Sequence, residues 1–312
     1  MDSDGRIRNI GFIGLGVMGA PMASHLHKGG FRLTLHDLDR EATRHLVAEL
    51  GGEVRHAVSP REVAEHSDIV ITMLPNGGVV QRVVFADDGL AAGFRPGALL
   101  LDTSSSEPWL TRETAGRLRA QGVAMVDAPV SGAQWGAQKA ELVFMAGGAP
   151  GDLVRVRPLL DRMGQAVFHL GPLGSGHAMK CINNLITAVT FSATAEGLVI
   201  GKACGLDPEA MVQVLNASTG MSWISRNHIR NRVISRTFDD PFKLELMLKD
   251  VGIATALARE AGVSAPLSGL SQQLWQAASI ASGAGASVSE LARWVENQSG
   301  VEISPGASPR DR

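Results

Sequence analysis

The sequence predicts an α/β domain, a doubly wound and mainly parallel sheet, followed by an all-helical domain, the two joined by a long helix. Three observations carry this expectation. Short apolar runs alternate with amphipathic stretches through the first half, as they do in βαβ units. Several of those runs, such as IVITML and ALLLD, are almost continuously apolar, as strands covered on both faces must be. After Gly171-Pro172-Leu173-Gly174 the strand pattern stops, and only helix-compatible stretches separated by Gly and Pro follow.

In chain order, strands are expected at residues 7–13, 31–36, 69–74, 98–102, 124–127, 142–146 and 167–170. Helices fall between most of them, for example at 18–28 and 108–121. From 176 to 204 runs a long stretch with small and apolar residues on most faces, and a helix of that composition has to be buried. Asp207-Pro208 opens another helix, and Gly262 and Pro266 punctuate those that follow. The expected division is 6–171, then 172–300, then a flexible tail at 301–312 rich in Ser, Pro, Gly and charge.

Composition narrows the function. The 312 residues are 45% apolar, enough to bury two cores. With 29 basic and 31 acidic residues the formal net charge is −2, which argues against a nucleic-acid or anionic-membrane partner. Cys181 and Cys204 are too few and too far apart for a disulfide framework. The first eight residues hold no apolar signal region, and no run of eighteen uninterrupted apolar residues occurs. A soluble cytoplasmic protein is expected. The nine histidines give no metal-binding spacing, and His25 and His27, two apart on a helix, diverge.

The first candidate site is Ile10-Gly11-Phe12-Ile13-Gly14-Leu15-Gly16-Val17-Met18-Gly19. GxGxxG at Gly14, Gly16 and Gly19 serves a sharp strand-to-helix turn, a close backbone approach to a pyrophosphate and tight helix packing. The following helix N-terminus, at Val17 and Met18, offers N–H groups and a positive dipole end. A lone GxGxxG is a weak signal in a chain with 36 glycines, but this one follows a strand and opens a helix. Asp37 ends the second strand at the expected spacing of about 20 residues. It is read as the acceptor for the adenosine ribose hydroxyls, favouring NAD over NADP, although Arg40 nearby keeps NADP possible and a helix cap is the other role open to it. Asp39 is the better cap. The domain is therefore expected to be Rossmann-like. Leu74-Pro75-Asn76 follows the third predicted strand, where ligands lie in open α/β sheets, although Pro-Asn-Gly also makes an ordinary turn. Asp102-Thr103-Ser104-Ser105 follows the next strand, its hydroxyls either facing a nicotinamide or capping the helix near Pro108.

Asp127-Ala128-Pro129-Val130-Ser131-Gly132-Ala133 offers a Ser-Gly turn whose hydroxyl and N–H groups suit a carboxylate; a plain loop is the alternative. In Gly174-Ser175-Gly176-His177-Ala178-Met179-Lys180-Cys181-Ile182-Asn183-Asn184, Lys180 and Asn184 are four apart and share a helix face. Desolvation disfavours an ammonium and so makes a buried lysine usable as a general acid or base. A lysine reaching solvent from the helix start is the other reading.

In these segments the chain resembles the β-hydroxyacid dehydrogenase family, which includes 3-hydroxyisobutyrate dehydrogenase and tartronate semialdehyde reductase. Six motifs match in order: GFIGLGVMGAPMA, MLPN, DTSSSEP, DAPVSG, GSGHAMKCINN and LMLKD. The resemblance implies Lys180 as catalytic lysine, Asn184 as its substrate-binding partner, and Ser131 and Gly132 as the substrate carboxylate turn. It also implies Ser105 beside the nicotinamide, a Leu74 backbone contact, and Lys249 reaching the cofactor. For Lys249, a helix lysine paired with a carboxylate is the alternative. Two departures stand out: Ala133 where the family usually has Gly, limiting the turn to negative φ or narrowing it, and Ala140-Glu141-Leu142 where the family has Gly-Thr-Leu. The implied protein is an NAD-dependent enzyme acting on a small carboxylate, as a homodimer or homotetramer. An imine reductase, which lacks the lysine, and a non-catalytic cofactor-binding protein are the rivals. Trp223, Trp275 and Trp294 are read as core or interface residues, core being the better reading, and Trp135 lies beside the substrate turn, either lining the pocket or covering it.

Overall fold

A computed structural model describes residues 9–305. Of the expected elements, residues 7 and 8 of the first strand and 306–312 of the tail lie outside the described residues. The chain divides into two compact units, one up to Lys180 and one from Cys181 on.

The first unit holds strands β1 (Asn9–Ile13), β2 (Arg32–His36), β3 (Val54–His56), β4 (Ile69–Thr72), β5 (Leu99–Asp102), β6 (Ala124–Asp127), β7 (Val130–Ser131), β8 (Leu142–Ala146) and β9 (Gly164–His169). Its helices are α1 (Gly19–Lys28), α2 (Arg40–Leu50), α3 (Pro60–Glu65), α4 (Gly77–Phe85), α5 (Leu90–Gly93), α6 (Pro108–Arg119), α7 (Ala133–Lys139) and α8 (Pro150–Met163). Six strands form one parallel sheet in the order β3-β2-β1-β4-β5-β6. The order reverses beside β1, and the crevice there is where doubly wound sheets take ligands. The other three strands make a separate sheet, β7-β8-β9, in which β7 runs antiparallel to β8. One continuous sheet was the expectation. The division follows from β6: beyond it Asp127 makes only an isolated bridge to Gly147.

Apolar side chains cover both faces of the large sheet. Ile10, Phe12, Leu33, Leu35, Ile69 and Ile71 face α1 and α8; Ile13, Val70 and Leu100 face the other side with Val80, Val84 and Leu118. The helix boundaries have local causes. Asp39 accepts hydrogen bonds from the N–H groups of Glu41 and Ala42, capping α2 as expected. Ser59 does the same for α3 through Glu62.

The second unit, entered along α9 (Ser175–Ala203), holds α10 (Pro208–Ala217), α11 (Trp223–Asn227), a π-helical turn (Ile229–Ile234), α12 (Leu244–Glu260), α13 (Pro266–Ser282) and α14 (Glu290–Ser299). Asp207 caps α10 through the N–H of Ala210. By length and composition α9 is the one helix among the described residues that could cross a membrane. Ala188, Phe191, Ala195, Leu198 and Val199 nevertheless pack into the core of this unit with Trp275, as a core helix requires. Within the single chain, Ile182, Ile186 and Ile200 of α9 are 41, 58 and 64% exposed, because the unit's other helices cover only one face. Trp275 is fully buried and Trp294 packs on the same core, whereas Trp223 is exposed. Within the stretch expected to be a flexible tail, Ile303 is buried and its N–H donates to the Glu296 carboxylate at 2.7 Å.

Asp240 tethers the loop before α12. Its carboxylate lies 3.4 Å from His228 and accepts the Phe242 N–H at 2.8 Å. Burial alone would raise this acid, but the His228 contact, the Phe242 N–H and Arg232 outweigh it and hold it below its usual 3.8. A lowered carboxyl pKa stabilises the fold above the unfolded value, and that contribution disappears as pH falls through the folded one. Asp240→Asn is therefore expected to cost about 1–2 kcal/mol at pH 7. The gap from wild type should close as pH drops below the ordinary carboxylate range, read by urea unfolding of both proteins over a pH series.

Candidate active site

The turn between β1 and α1 is built from backbone too close for side chains. A Cβ on Gly14, which has φ +95°, would stand 2.3 Å from the Met73 carbonyl oxygen. One on Gly19 would overlap the Gly14 carbonyl. Gly16 differs: a Cβ there would meet nothing within 4 Å. Its backbone therefore faces open space, while its neighbours press the turn against the sheet. Helix α1 has no side-chain cap and no acid in its first turn, and Val17 is exposed beside it. An uncapped helix start behind an open glycine is a cradle for a pyrophosphate. Asp37 follows β2; its Oδ2 accepts the Leu15 N–H at 2.6 Å and its Oδ1 the Asp39 N–H at 2.9 Å. The carboxylate is thus fixed against the glycine turn and caps no helix.

The ends of β4 and β5 are tied together. The Leu74 N–H donates to Ser104 Oγ at 2.9 Å. Pro75 follows. Asn76 Oδ1 accepts the Val79 N–H at 2.9 Å and caps α4, so its amide has a structural duty. The Thr103, Ser104 and Ser106 hydroxyls do not cap α6: Thr103 donates to the Thr72 carbonyl and Ser106 to Asp102, and the N-cap position belongs to Glu107. Ser105 is half-buried within this loop.

Ser131 lies on β7 rather than in a plain loop, and Gly132 takes φ +132°, a conformation that favours glycine. Ala133 takes φ +52°, against the expectation that alanine restricts the turn to negative φ. The left-handed backbone survives with a Cβ on it, as does that of Ala140 at φ +56°. Glu141 is half-buried, its N–H donating to the Gly136 carbonyl. Trp135 is exposed.

Lys180 is half-buried in the second turn of α9. In the second unit, Asn184 is 5% exposed and its Nδ2 donates to Asp250 Oδ2 at 2.6 Å. The Lys249 ammonium stands 3.2 Å from the other oxygen of Asp250. Asp250 is buried, so Lys249 pairs with an interior carboxylate that also holds the Asn184 amide. No group of three or more His, Cys, Asp or Glu among the described residues is placed to hold a metal ion.

Comparison with known proteins decides the family. Residues 9–171 match the model of the NAD binding domain of 6-phosphogluconate dehydrogenase, and 174–295 match that of the NAD-binding domain of NADP-dependent 3-hydroxyisobutyrate dehydrogenase. The NAD-dependent L-serine dehydrogenase of Pseudomonas aeruginosa is 37% identical over 276 residues, covering 86% of this chain and 92% of that protein. The chain belongs to the 3-hydroxyisobutyrate dehydrogenase family. The 2-(hydroxymethyl)glutarate dehydrogenase of Eubacterium barkeri is 33% identical over 95% of this chain and 98% of its own length. A structure of the Mycobacterium tuberculosis 3-hydroxyisobutyrate dehydrogenase with L-serine superimposes with a TM-score of 0.83 at 33% identity, covering 93% of this chain and 99% of that one. As a member of a family of NAD-dependent β-hydroxyacid dehydrogenases, this chain has a cofactor-binding first domain, and its glycine cradle fits that group.

Within this dehydrogenase the first unit places Gly14, Gly16, Val17, Met18, Gly19, Asp37, Leu74, Pro75, Asn76 and Ser105 at the carboxyl ends of β1, β2, β4 and β5. Three buried polar residues have no forecast in the sequence. Asp127, His177 and Asp250 each accept or donate inside the protein, and nothing in local spacing marks them. Only their place in the DAPVSG, GSGHAMK and LMLKD segments could have drawn notice. Because Ala133 bears a left-handed backbone, Ala133→Gly is expected to raise stability by about 0.5–1 kcal/mol, the relieved strain exceeding the added freedom of the unfolded chain. Thermal unfolding of the two proteins checks this.

Proposed function

We propose that this enzyme interconverts a small 3-hydroxyacid and its semialdehyde, of the 3-hydroxyisobutyrate or 2-hydroxy-3-oxopropionate type, with Lys180 moving the proton. The names of the relatives support the substrate class. 3-Hydroxyisobutyrate, serine and 2-(hydroxymethyl)glutarate are all 3-hydroxypropionates that differ in the group on C2. A carboxylate and a primary alcohol two carbons away are what the site must hold in common. The observation that carries the reading is Lys180 itself, half-buried on α9 one turn past His177, whose ring is anchored on the Ser104 carbonyl beside Ser105.

Gly14, Gly16 and Gly19, with the N–H groups of Val17 and Met18, hold the pyrophosphate in this reading. Asp37 takes the adenosine ribose. Leu74, Pro75, Asn76, Ser105 and Lys249 line the remainder. The bound nicotinamide supplies a hydride acceptor or donor. Lys180 Nζ takes the hydroxyl proton when the alcohol is oxidised and returns it when the aldehyde is reduced. Ser131 and Gly132 anchor the carboxylate, so that binding energy remote from the reacting carbon positions it. Asn184, its amide oriented by Asp250, holds the substrate oxygen. A fixed carboxylate at Asp37 repels a 2′-phosphate and favours NAD, with NADP the weaker cofactor. A homodimer or homotetramer in the cytoplasm completes the proposal. The exposed Ile182, Ile186 and Ile200 support the first part.

Lys180→Ala is expected to lower kcat by roughly 10²–10⁴-fold while NADH affinity stays within a few-fold. Turnover against a panel of C2-substituted 3-hydroxypropionates and their semialdehydes tests this, and near-wild-type rates would remove the lysine from the mechanism. Asp37→Ala should narrow the preference for NAD over NADP in kcat/KM. An unchanged ratio would take Asp37 out of the ribose site.

A further inference from the structure

Helix α9 starts in a glycine-rich turn, Gly174-Ser175-Gly176, with Gly174 at φ +91°. Such a start has little intrinsic stiffness. Lys180 is carried one and a half turns beyond it, and a general acid or base must be held in place to work. What holds the turn is a cluster of ionisable groups with no access to water. Asp127, at the end of β6, is fully buried; its Oδ1 accepts the Gly174 N–H at 2.7 Å and its Oδ2 the His177 N–H at 2.8 Å. Gly176 packs so tightly that a Cβ would lie 2.1 Å from the Met145 carbonyl and 2.8 Å from Asp127 Oδ2.

His177 is also fully buried and faces the other way. Its Nε2 lies 3.1 Å from the Ser104 carbonyl, which can only accept, so that nitrogen carries the hydrogen. Its Nδ1 lies 2.8 Å from the Thr111 hydroxyl on α6. Asp102 and Asp127 each place an oxygen 3.7 Å from a ring nitrogen. Asp102 in turn accepts from the Thr72 and Ser106 hydroxyls and from the Ser104 N–H. The serine loop after β5, the start of α6 and the first turn of α9 thus meet on one imidazole.

Buried polar groups of this kind contribute little stability compared with apolar packing of similar volume. Their value lies in directional contacts. We infer that Asp127 and His177 are positioning residues that set Lys180 against the serine loop carrying Ser105, so that the amine and the nicotinamide end of the cofactor cradle keep one fixed spacing. Neither touches the reacting atoms. The inference rests on the reading of Lys180 as proton-transfer group, and the control below separates the two.

The test compares His177→Leu, His177→Gln and Lys180→Ala with wild type, each rate normalised to the fraction that binds NADH. Leucine fills the space and abolishes both ring contacts; glutamine can still donate to the Ser104 carbonyl. The expected result is a roughly 10²-fold lower kcat for His177→Leu with NADH Kd and substrate KM within a few-fold of wild type, as a misplacement of about 1 Å would give. His177→Gln should recover to within about 10-fold of wild type. A purely structural role would instead lower the melting temperature and the binding fraction and leave the normalised kcat alone, and that outcome overturns the inference. If His177→Leu does not fold, His177→Gln decides: a folded, NADH-binding protein with kcat lowered 100-fold overturns it as well. An active His177→Leu beside an inactive Lys180→Ala sinks the positioning pair and spares the lysine. An active Lys180→Ala sinks the lysine, and the inference with it.

Discussion

A carboxylate buried away from water anchors the start of α9 in the first unit. Asp127 ends β6 at the edge of the parallel sheet and accepts two N–H groups from the start of α9. Helix N-termini need acceptors, and a carboxylate placed there also meets the positive end of the helix dipole. Burial pushes this acid up; the His177 ring and the two N–H groups oppose that rise, and Asp102 adds to it. Its partners are fixed by the fold, and the two N–H bonds in turn fix the start of the helix.

The cofactor edge of the sheet follows the same economy of space. Gly14 and Gly19 let strand, turn and helix close to distances no side chain permits, and Gly16 is left facing outward. The Ser104 hydroxyl then holds the Leu74 N–H, and the Glu107 carboxylate holds the Gly77 N–H at 3.1 Å. The two loops that follow β4 and β5 are thereby braced by side chains whose work is structural.

Much of the fold was legible. The glycine motif, the apolar runs of β1, β4 and β5, the Asp39 and Asp207 caps and the Pro266 helix start all follow local rules, and local rules are read one element at a time. The misses have physical causes. Val54-Arg55-His56 forms an edge strand half open to solvent, so it carries no apolar run. Val130-Ser131 becomes a strand only because Val143 and Phe144 lie opposite it. Trp223 is as apolar as Trp275, yet one is exposed and the other fully buried. Ala133 and Ala140 keep a backbone that alanine disfavours, which their surroundings impose. At the site, the motifs mark Lys180 and Asn184 by their spacing on one helix face, but not that Asp250 orients the amide.

The chain by itself determined the change from strand–helix alternation to helices alone, the glycine turn, the acid after β2 and a lysine and an asparagine one turn apart, because each depends on neighbours in sequence. Only the tertiary structure decided that Asp127 and His177, fifty residues apart, share a dry pocket with Asp102 and Ser104. It also decided which face of α9 is left uncovered. Burial and long-range hydrogen bonding are properties of packing, and no local pattern of residue types encodes which distant partner arrives.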